Sequence, residues 1–371
     1  MSNQETRAET LAAEIPAAQP TPSNKRESLT IAAVGDIMLG STSINDTFLP
    51  PNDGRDMLKE VTPILSQADI AFGNLEGPLL EGGTSGKCES LSDRKNAISF
   101  PTPTPTPSAA NSPPVVRCFA FRVPTRYGKY LLEAGFDVLN LANNHASDFG
   151  ETGRASTRKV LDDLGIKHSG GDKTDFAYLE VKGQKVAFVS FTHNNISLNI
   201  NDLETARRVV AGQKKKADIV IVSFHGGAEG RAYQHVPVGT EIFVGEQRGN
   251  LRAFTHVVID AGADLVLGHG PHVLRGMEIY KDRLIVYSMG NFATYGMFNL
   301  KDAQGLTEIV EITLAPDGKF LSGKINAGKQ IRRGIPVLDK TGEAIRVVRR
   351  LSQTDFPATA PKISDDGAIS R

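Results

Sequence analysis

The chain has 371 residues, 40% hydrophobic and 23% charged, the balance of an ordinary globular protein with a sizeable core. Its 42 Lys plus Arg offset 42 Asp plus Glu, so no net field draws it toward nucleic acid or an anionic membrane surface. Trp is absent and aromatics are 6%, which argues against an aromatic platform for stacking bases or sugars.

Residues 1–28, rich in Ala, Pro, Thr and Glu, read as a disordered tail. They lack the basic start and apolar run of a signal peptide, and no segment approaches the roughly 18 apolar residues of a membrane-spanning helix. Two locations stay open: the cytoplasm, or export with the export segment absent from this chain. LTIAAVGD (29–36) predicts a buried parallel strand, 57–67 a helix, and DIAFGNLE (69–76) a second strand. Residues 77–124, dominated by Gly, Ser, Thr and Pro, predict a long exposed insertion. Cys88 and Cys118 lie inside it, and neither forms a CxxC, which excludes a thiolate metal site. A loop-closing disulfide and two free thiols are both open; bridging needs Cα atoms within about 7 Å.

A helix over 125–134, a strand over 136–145 and a helix over 151–164 ended by Gly165 follow. AYLEV and KVAFVSF pair around Lys182-Gly183, and a helix at 202–216 leads into the strand DIVIVSFH (218–225). A helix near 247–262 precedes DLVLGH (264–269), MEIY and RLIVYSMGN form a second hairpin, and TEIVEITLA, KFLSGKI and a helix at 344–352 complete a single domain over 29–353. Residues 354–371 read as another disordered tail. Runs such as IVIVSF are too continuously apolar for one wet face, so the fold class is α/β with strands covered on both sides.

Polar residues recur where apolar strands end: Asp36, Asn74 and Glu76, Asn144 and His145, His225, then His269 with His272. In α/β sheets the carboxyl ends of strands form the ligand crevice. Carboxylate, amide and imidazole donors without sulfur suit Mn, Fe or Zn. Taken singly, Asp36 reads equally as a helix cap, Asn144 as a turn residue and GHGPH as a tight turn; jointly they predict a metal or catalytic cluster. His193 and His235 read as hydrogen-bonded polar residues, His168 and His256 as surface or helix positions.

Six segments in order, GDIMLG, GNLEGPL, NNHASDFG, HGGAEG, GHGPHV and YSMGNF, resemble the signature of the CapA family. These are bacterial capsule or poly-γ-glutamate biosynthesis proteins of the calcineurin-like metallophosphatase superfamily. The resemblance implies a four-layer α/β/β/α sandwich of two mixed sheets. It implies one or two divalent metal ions held by Asp36, Glu76, Asn144, His225, His269 and His272, with Asn144 and His225 on the second ion. It makes His145 the non-ligand histidine that stabilises charge or protonates the leaving group; the plainer alternative is that His145 hydrogen-bonds Asp148. Asn74, Glu229, Arg231, Arg275 and Asn291 are the expected substrate contacts. Four sequence features depart from ordinary metallophosphatases or from common family usage: Met38 stands where a ligand histidine is usual, Glu76 where a bridging aspartate is, the last motif is His-Gly-Pro-His, and Gly226-Gly227 replaces a frequent Trp.

The resemblance further implies an anionic polymer or phosphoester substrate, membrane polymer-synthase subunits as partners, no nucleic acid, and an extracytoplasmic location. Three functions compete: a metal-dependent hydrolase or transferase serving the polymer, a phosphoesterase for a small or lipid-linked substrate, and a non-catalytic accessory subunit. A neutral protein needs local cations to hold a polyanion, and Arg231, Arg248, Arg252 and Arg275 are the candidates.

Overall fold

The computed structural model describes residues 26–43, 46–89 and 119–371. Strand Leu29–Met38 lies near the middle of a ten-stranded mixed sheet, parallel to Ile70–Leu75 on one side and antiparallel to Leu306–Leu314 on the other. A seven-stranded mixed sheet is centred on the parallel strands Gln184–Thr192, Ile219–His225 and Leu265–His269.

Alternation within each strand sends side chains into three apolar layers. Ile31, Ala33, Phe72 and Val138 of the large sheet meet Phe188, Ile221 and Leu267 of the small one, with Phe72 stacked on Phe188 at 5.3 Å. The intervening residues Ala32, Val34 and Ala71 pack outward with Leu131 and Leu161 of helices Gly128–Glu133 and Gly150–Leu164. On the opposite side, Val189, Val222 and Val266 pack with Val210 and Phe254 of helices Leu203–Lys214 and Leu251–Asp260. The result is the expected α/β/β/α order, and it explains strands with no wet face. No helix among the described residues is long and apolar enough to cross a membrane.

The structure differs from the sequence reading in four places. RLIVYSMGN is not one strand. Arg283–Val286 belongs to the small sheet, and after a short crossing Asn291–Thr294 joins the large sheet beside Leu29–Met38. The helix expected over 57–67 is a single turn, Thr62–Leu65, among other turns. Residues 354–371 are no free tail: helix Glu343–Asp355 is followed by strands Lys362–Ile363 and Ala368–Ser370, with Ile369 paired to Gly323. Phe356, Ile363 and Ile369 are buried there, three isolated anchors in a polar run with no period to detect. Finally, parts of the described ends of the 77–124 insertion are buried: Leu79 bridges Val123, and Leu80, Phe121 and Val123 are covered, while residues 81–84, 86 and 87 are exposed as expected. Residues 90–118 lie outside the described residues, and with them the question of a Cys88–Cys118 bridge; so do residues 1–25 of the expected N-terminal tail.

Candidate metal centre

Strand register builds the site. Across the large sheet Asn291, Asp36, Asn74 and Asn140 are successive Cα partners; across the small sheet His269, His225 and Thr192 are. Two polar rows, one from each sheet, thus end at the same rim. The crossing segment Ser288–Gly290 lets them come together: Asp36 N–H donates to Gly290 O at 2.9 Å and Met289 N–H to Gly268 O at 3.2 Å.

At the centre, Asp36 Oδ1 accepts from Asn74 Nδ2 at 2.8 Å, and its Oδ2 lies 3.0 Å from His272 Nδ1. Glu76 Oε1 is 3.4 Å from His225 Nδ1, and His269 Nδ1 is 3.5 Å from Asp36 Oδ1. Asp36, Glu76 and His272 offer ligand atoms within 4.8 Å of one another. His272 is held at φ 57°, a left-handed backbone that costs a non-glycine residue about 1 kcal/mol or more. Its Nε2 faces Glu229, 3.9 Å away.

Several buried polar atoms here have no hydrogen-bond partner: Glu76 Oε2, Asn144 Oδ1, His225 Nε2 and both ring nitrogens of His269. Each such atom costs about 1–3 kcal/mol when left unpaired, and buried polar groups in folded proteins are overwhelmingly satisfied. Glu76 Oε2 and the His225 and His269 nitrogens lie in the cluster around Asp36 and Glu76, and such unsatisfied donors suit a divalent cation. Oxygen and imidazole nitrogen without sulfur fit Mn, Fe or Zn.

His145 stands on the same rim, outside the carboxylate cluster. Its Nδ1 is 2.8 Å from Asp148 Oδ2, and Lys87 Nζ donates to Asp148 Oδ1 at 2.8 Å. The loop carrying it is tied to the cluster: Asn143 accepts from His145 N–H and donates to Asn74 Oδ1 at 3.2 Å. Phe121 packs on the His145 ring at 4.2 Å, and Phe298 bridges from Phe121 to His272 at 5.2 Å each, giving the cleft one apolar wall.

These motif segments fall within residues 30–295, which match the family model described as the bacterial capsule synthesis protein PGA_cap. The chain belongs to that family. It is 30% identical over 361 residues to the capsule biosynthesis protein CapA of Bacillus anthracis, covering 91% of this chain and 76% of that protein. It is also 30% identical over 281 residues to the PGA biosynthesis protein CapA of Bacillus subtilis (strain 168), covering 71% of this chain and 63% of that one. Among solved structures, a purple acid phosphatase from yellow lupin seeds aligns with a TM-score of 0.37 at 10% identity, over 85% of this chain and 54% of its own.

In this PGA_cap family member the electrostatics of the cluster follow from burial and crowding. Burial pushes Asp36 up, but the His269 and His272 imidazoles beside it outweigh that and hold it well below the usual carboxylate range. Burial, reinforced by the Asp36 charge, pushes Glu76 well up. Burial drives His225 well down, leaving a neutral imidazole. Burial also opposes the charge on His272, but Glu76, Asp36 and Glu229 overcome it and raise the ring to about 10. At His145, burial lowers the pKa despite the adjoining Asp148.

Several expected substrate contacts are otherwise engaged. Asn74 is fully buried and joins Asp36 to Asn140, whose Nδ2 donates to Asn74 Oδ1 at 2.7 Å, so it braces the ligands. Arg275 is fully buried, with NH1 and NH2 each 2.8 Å from Glu241 carboxylate oxygens, and cannot reach a substrate. Asn291 orients His272, its Oδ1 lying 3.1 Å from Nδ1. Glu229 lies at the open side, paired with Arg248 at 2.7 Å, and exposed Arg231 pairs with Asp302 at 3.1 Å. Arg252 donates to Val236 O and lies over Phe356. Met38 is buried in the helix-side apolar cluster.

Among the other histidines, His235 bonds Asp355 and His256 is helical, as expected, whereas His168 sits in strand Lys167–Ser169 against Asp175. His193 is closer to the centre than the sequence suggested, its ring 6.0 Å from that of His225. Asn140, Asn143 and Lys87 were not foreseen. Asn140 shares the strand-end signal of the other residues, but Lys87 has none within a polar run.

Proposed function

We propose that the chain is a metal-dependent hydrolase or transferase of capsule or poly-γ-glutamate biosynthesis, working at the cell envelope. The observation that carries this reading is the convergence of unpaired buried donors on Asp36 and Glu76. When bound, a divalent metal supplies Lewis-acid polarisation and an activated water. Asp36, Glu76, Asn144, His225, His269 and His272 would hold one or two ions. The chain's own residues do the rest. Asp148 fixes the His145 ring through Nδ1, which leaves Nε2 to exchange a proton with a leaving atom. Lys87 holds Asp148 in place, and the Phe121–Phe298 wall keeps water from that side. Family membership and the relatives' names support the polymer; a phosphoester of a small or lipid-linked molecule is the alternative substrate.

A second reading, an accessory subunit that binds polymer or synthase without turnover, draws support from Met38. A buried thioether in an apolar cluster supplies no donor for a hard cation, so the first metal position is poorer by one ligand. The experiment separating the readings measures metal content and turnover together, on phosphoesters and on γ-glutamyl amides. His225→Ala and His272→Ala should lose most bound metal, with exposed His235→Ala as control. His145→Ala should keep the metal and the melting temperature but lose about 10²–10⁴ in turnover. Metal content equal in all three ligand and control variants would sink the metal centre. A metal-loaded wild type inert on both substrate classes would leave the accessory reading.

A further inference from the structure

A groove of about 720 Å³ opens between the Asn-rich segment 194–201 and helix Leu203–Lys214. That volume falls within the range of small-molecule and cofactor sites. Its walls combine three kinds of chemistry. Lys173 and Arg208 are exposed cations, and neither is in an ion pair among the described residues. Asn195, Asn199 and Asn201 form a relay of amides: Asn199 Nδ2 donates to Asn195 Oδ1 and Asn201 Nδ2 to Asn199 Oδ1, both at 3.1 Å. Phe176, Leu198 and Val209 give an apolar floor. The one carboxylate in the lining, Asp202, caps the helix, accepting from Thr205 N–H at 3.0 Å, and lies within electrostatic reach of Lys173 and Arg208; Arg208 also donates to Thr205 Oγ1 at 3.3 Å.

The groove is joined to the metal centre by contacts. Asn201 Nδ2 also donates to Gln247 O at 3.2 Å; the neighbouring Glu246 carboxylate lies 3.4 Å from His193 Nε2, and the His193 ring is 6.0 Å from His225. The Asn-rich loop itself begins right after His193. By contrast, Arg231, Arg248 and Arg275 are spent on Asp302, on Glu229 and Glu246, and on Glu241.

We propose that this groove is a subsite for an extended anionic polyamide, whose carboxylates pair with Lys173 and Arg208 and whose backbone amides exchange hydrogen bonds with the asparagine relay. The assignment rests on the polymer reading given under Proposed function. It favours an anionic chain over a neutral polysaccharide because exposed cations attract carboxylates, and a polyamide among anionic chains because Asn side chains offer donor and acceptor together, the complement of an amide. It also gives a protein of zero net charge a local hold on a polyanion: Lys173 and Arg208, outside any ion pair among the described residues, attract carboxylates, an attraction that falls with salt.

The test is fluorescence anisotropy of a labelled, ten-residue oligo-γ-glutamate on the full chain. The Lys173→Ala/Arg208→Ala double variant changes only exposed side chains; it should weaken binding about tenfold and flatten its salt dependence, while Asn199→Ala should give a smaller loss. If wild type binds and the double variant binds within twofold of it, the groove assignment is overturned and the polymer reading stands. If neutral dextran displaces the probe as well as unlabelled oligo-γ-glutamate does, the groove is a sugar site and the assignment falls. If wild type does not bind the probe at all, the polymer reading fails and the subsite with it.

Discussion

Glu308 has no role in the centre, yet its buried carboxyl ties the stability of the core to pH. It lies on strand Leu306–Leu314 and shares the face of Leu306, Val310 and Ile312, which point between the sheets. Both its oxygens are buried without a partner, and burial alone pushes its carboxyl from 4.5 up to about 8. The folded chain therefore keeps a proton that the unfolded chain releases near pH 4.5. The stability tied to that proton is complete below pH 4.5 and is lost as pH rises through about 8. At about 1.4 kcal/mol per pKa unit, the full loss is on the order of 5 kcal/mol. Urea midpoints at pH 5 and pH 8.5 should differ much more for wild type than for Glu308→Gln. Equal differences would mean that the carboxyl finds a partner or water in solution.

At the scale of elements, the crossing at Ser288–Gly290 is what unites the two sheets at the site. A Cβ on Gly35 would fall 2.0 Å from Gly290 O, and one on Gly268 would fall 2.3 Å from Tyr287 O. Both glycines are required because the crossing backbone presses against the strands that deliver Asp36 and His269. Gly35→Ala must push the crossing away, at a cost of about 1–3 kcal/mol for overpacking. It should lower the melting temperature and also the metal content, since Asp36 and Asn291 lose register together. Normal metal content in a destabilised Gly35→Ala would show that the crossing supports the fold but not the centre. This element also marks how far the sequence could be read. The strand-end positions of Asp36, Glu76, His225 and His269 were legible because continuous apolar runs announce their own ends. The split of RLIVYSMGN was not, because a strand that changes sheets keeps its apolar residues and leaves no break in pattern. Likewise Arg275 looked like a free cation; only the fold brings Glu241, 34 positions away, against its guanidinium. The C-terminal strands were missed because the large buried side chains Phe356, Ile363 and Ile369, spread over fourteen positions, have no periodicity.

At the scale of the whole molecule, the candidate ligands divide by sheet. Asp36 and Glu76 come from the large sheet, with Asn144 on the loop after its strand Val138–Asn140; His225 and His269 come from the small sheet, and His272 from the loop that follows. The Phe72–Phe188 stack and the rest of the inter-sheet layer hold the two together well below the rim, while at the rim itself the contact is polar and, without a cation, includes unpaired atoms. A bound metal would therefore act as a clasp between sheets as well as a reagent. Ligand binding to the folded state alone stabilises by RT ln(1 + [L]/Kd), about 4 kcal/mol when free metal exceeds Kd a thousandfold. For a chain of this length that corresponds to a few degrees in melting temperature. Chelator should thus lower the melting temperature of wild type by several degrees, and Mn, Fe or Zn should restore it. His225→Ala, which removes a donor from the small sheet, should show little chelator response; the exposed variant His235→Ala should respond as wild type does. A chelator shift of the same size after His225, His269 and His272 are all replaced by Ala would mean that the metal is held by the large sheet alone and that the two rows, though adjacent, do not share an ion.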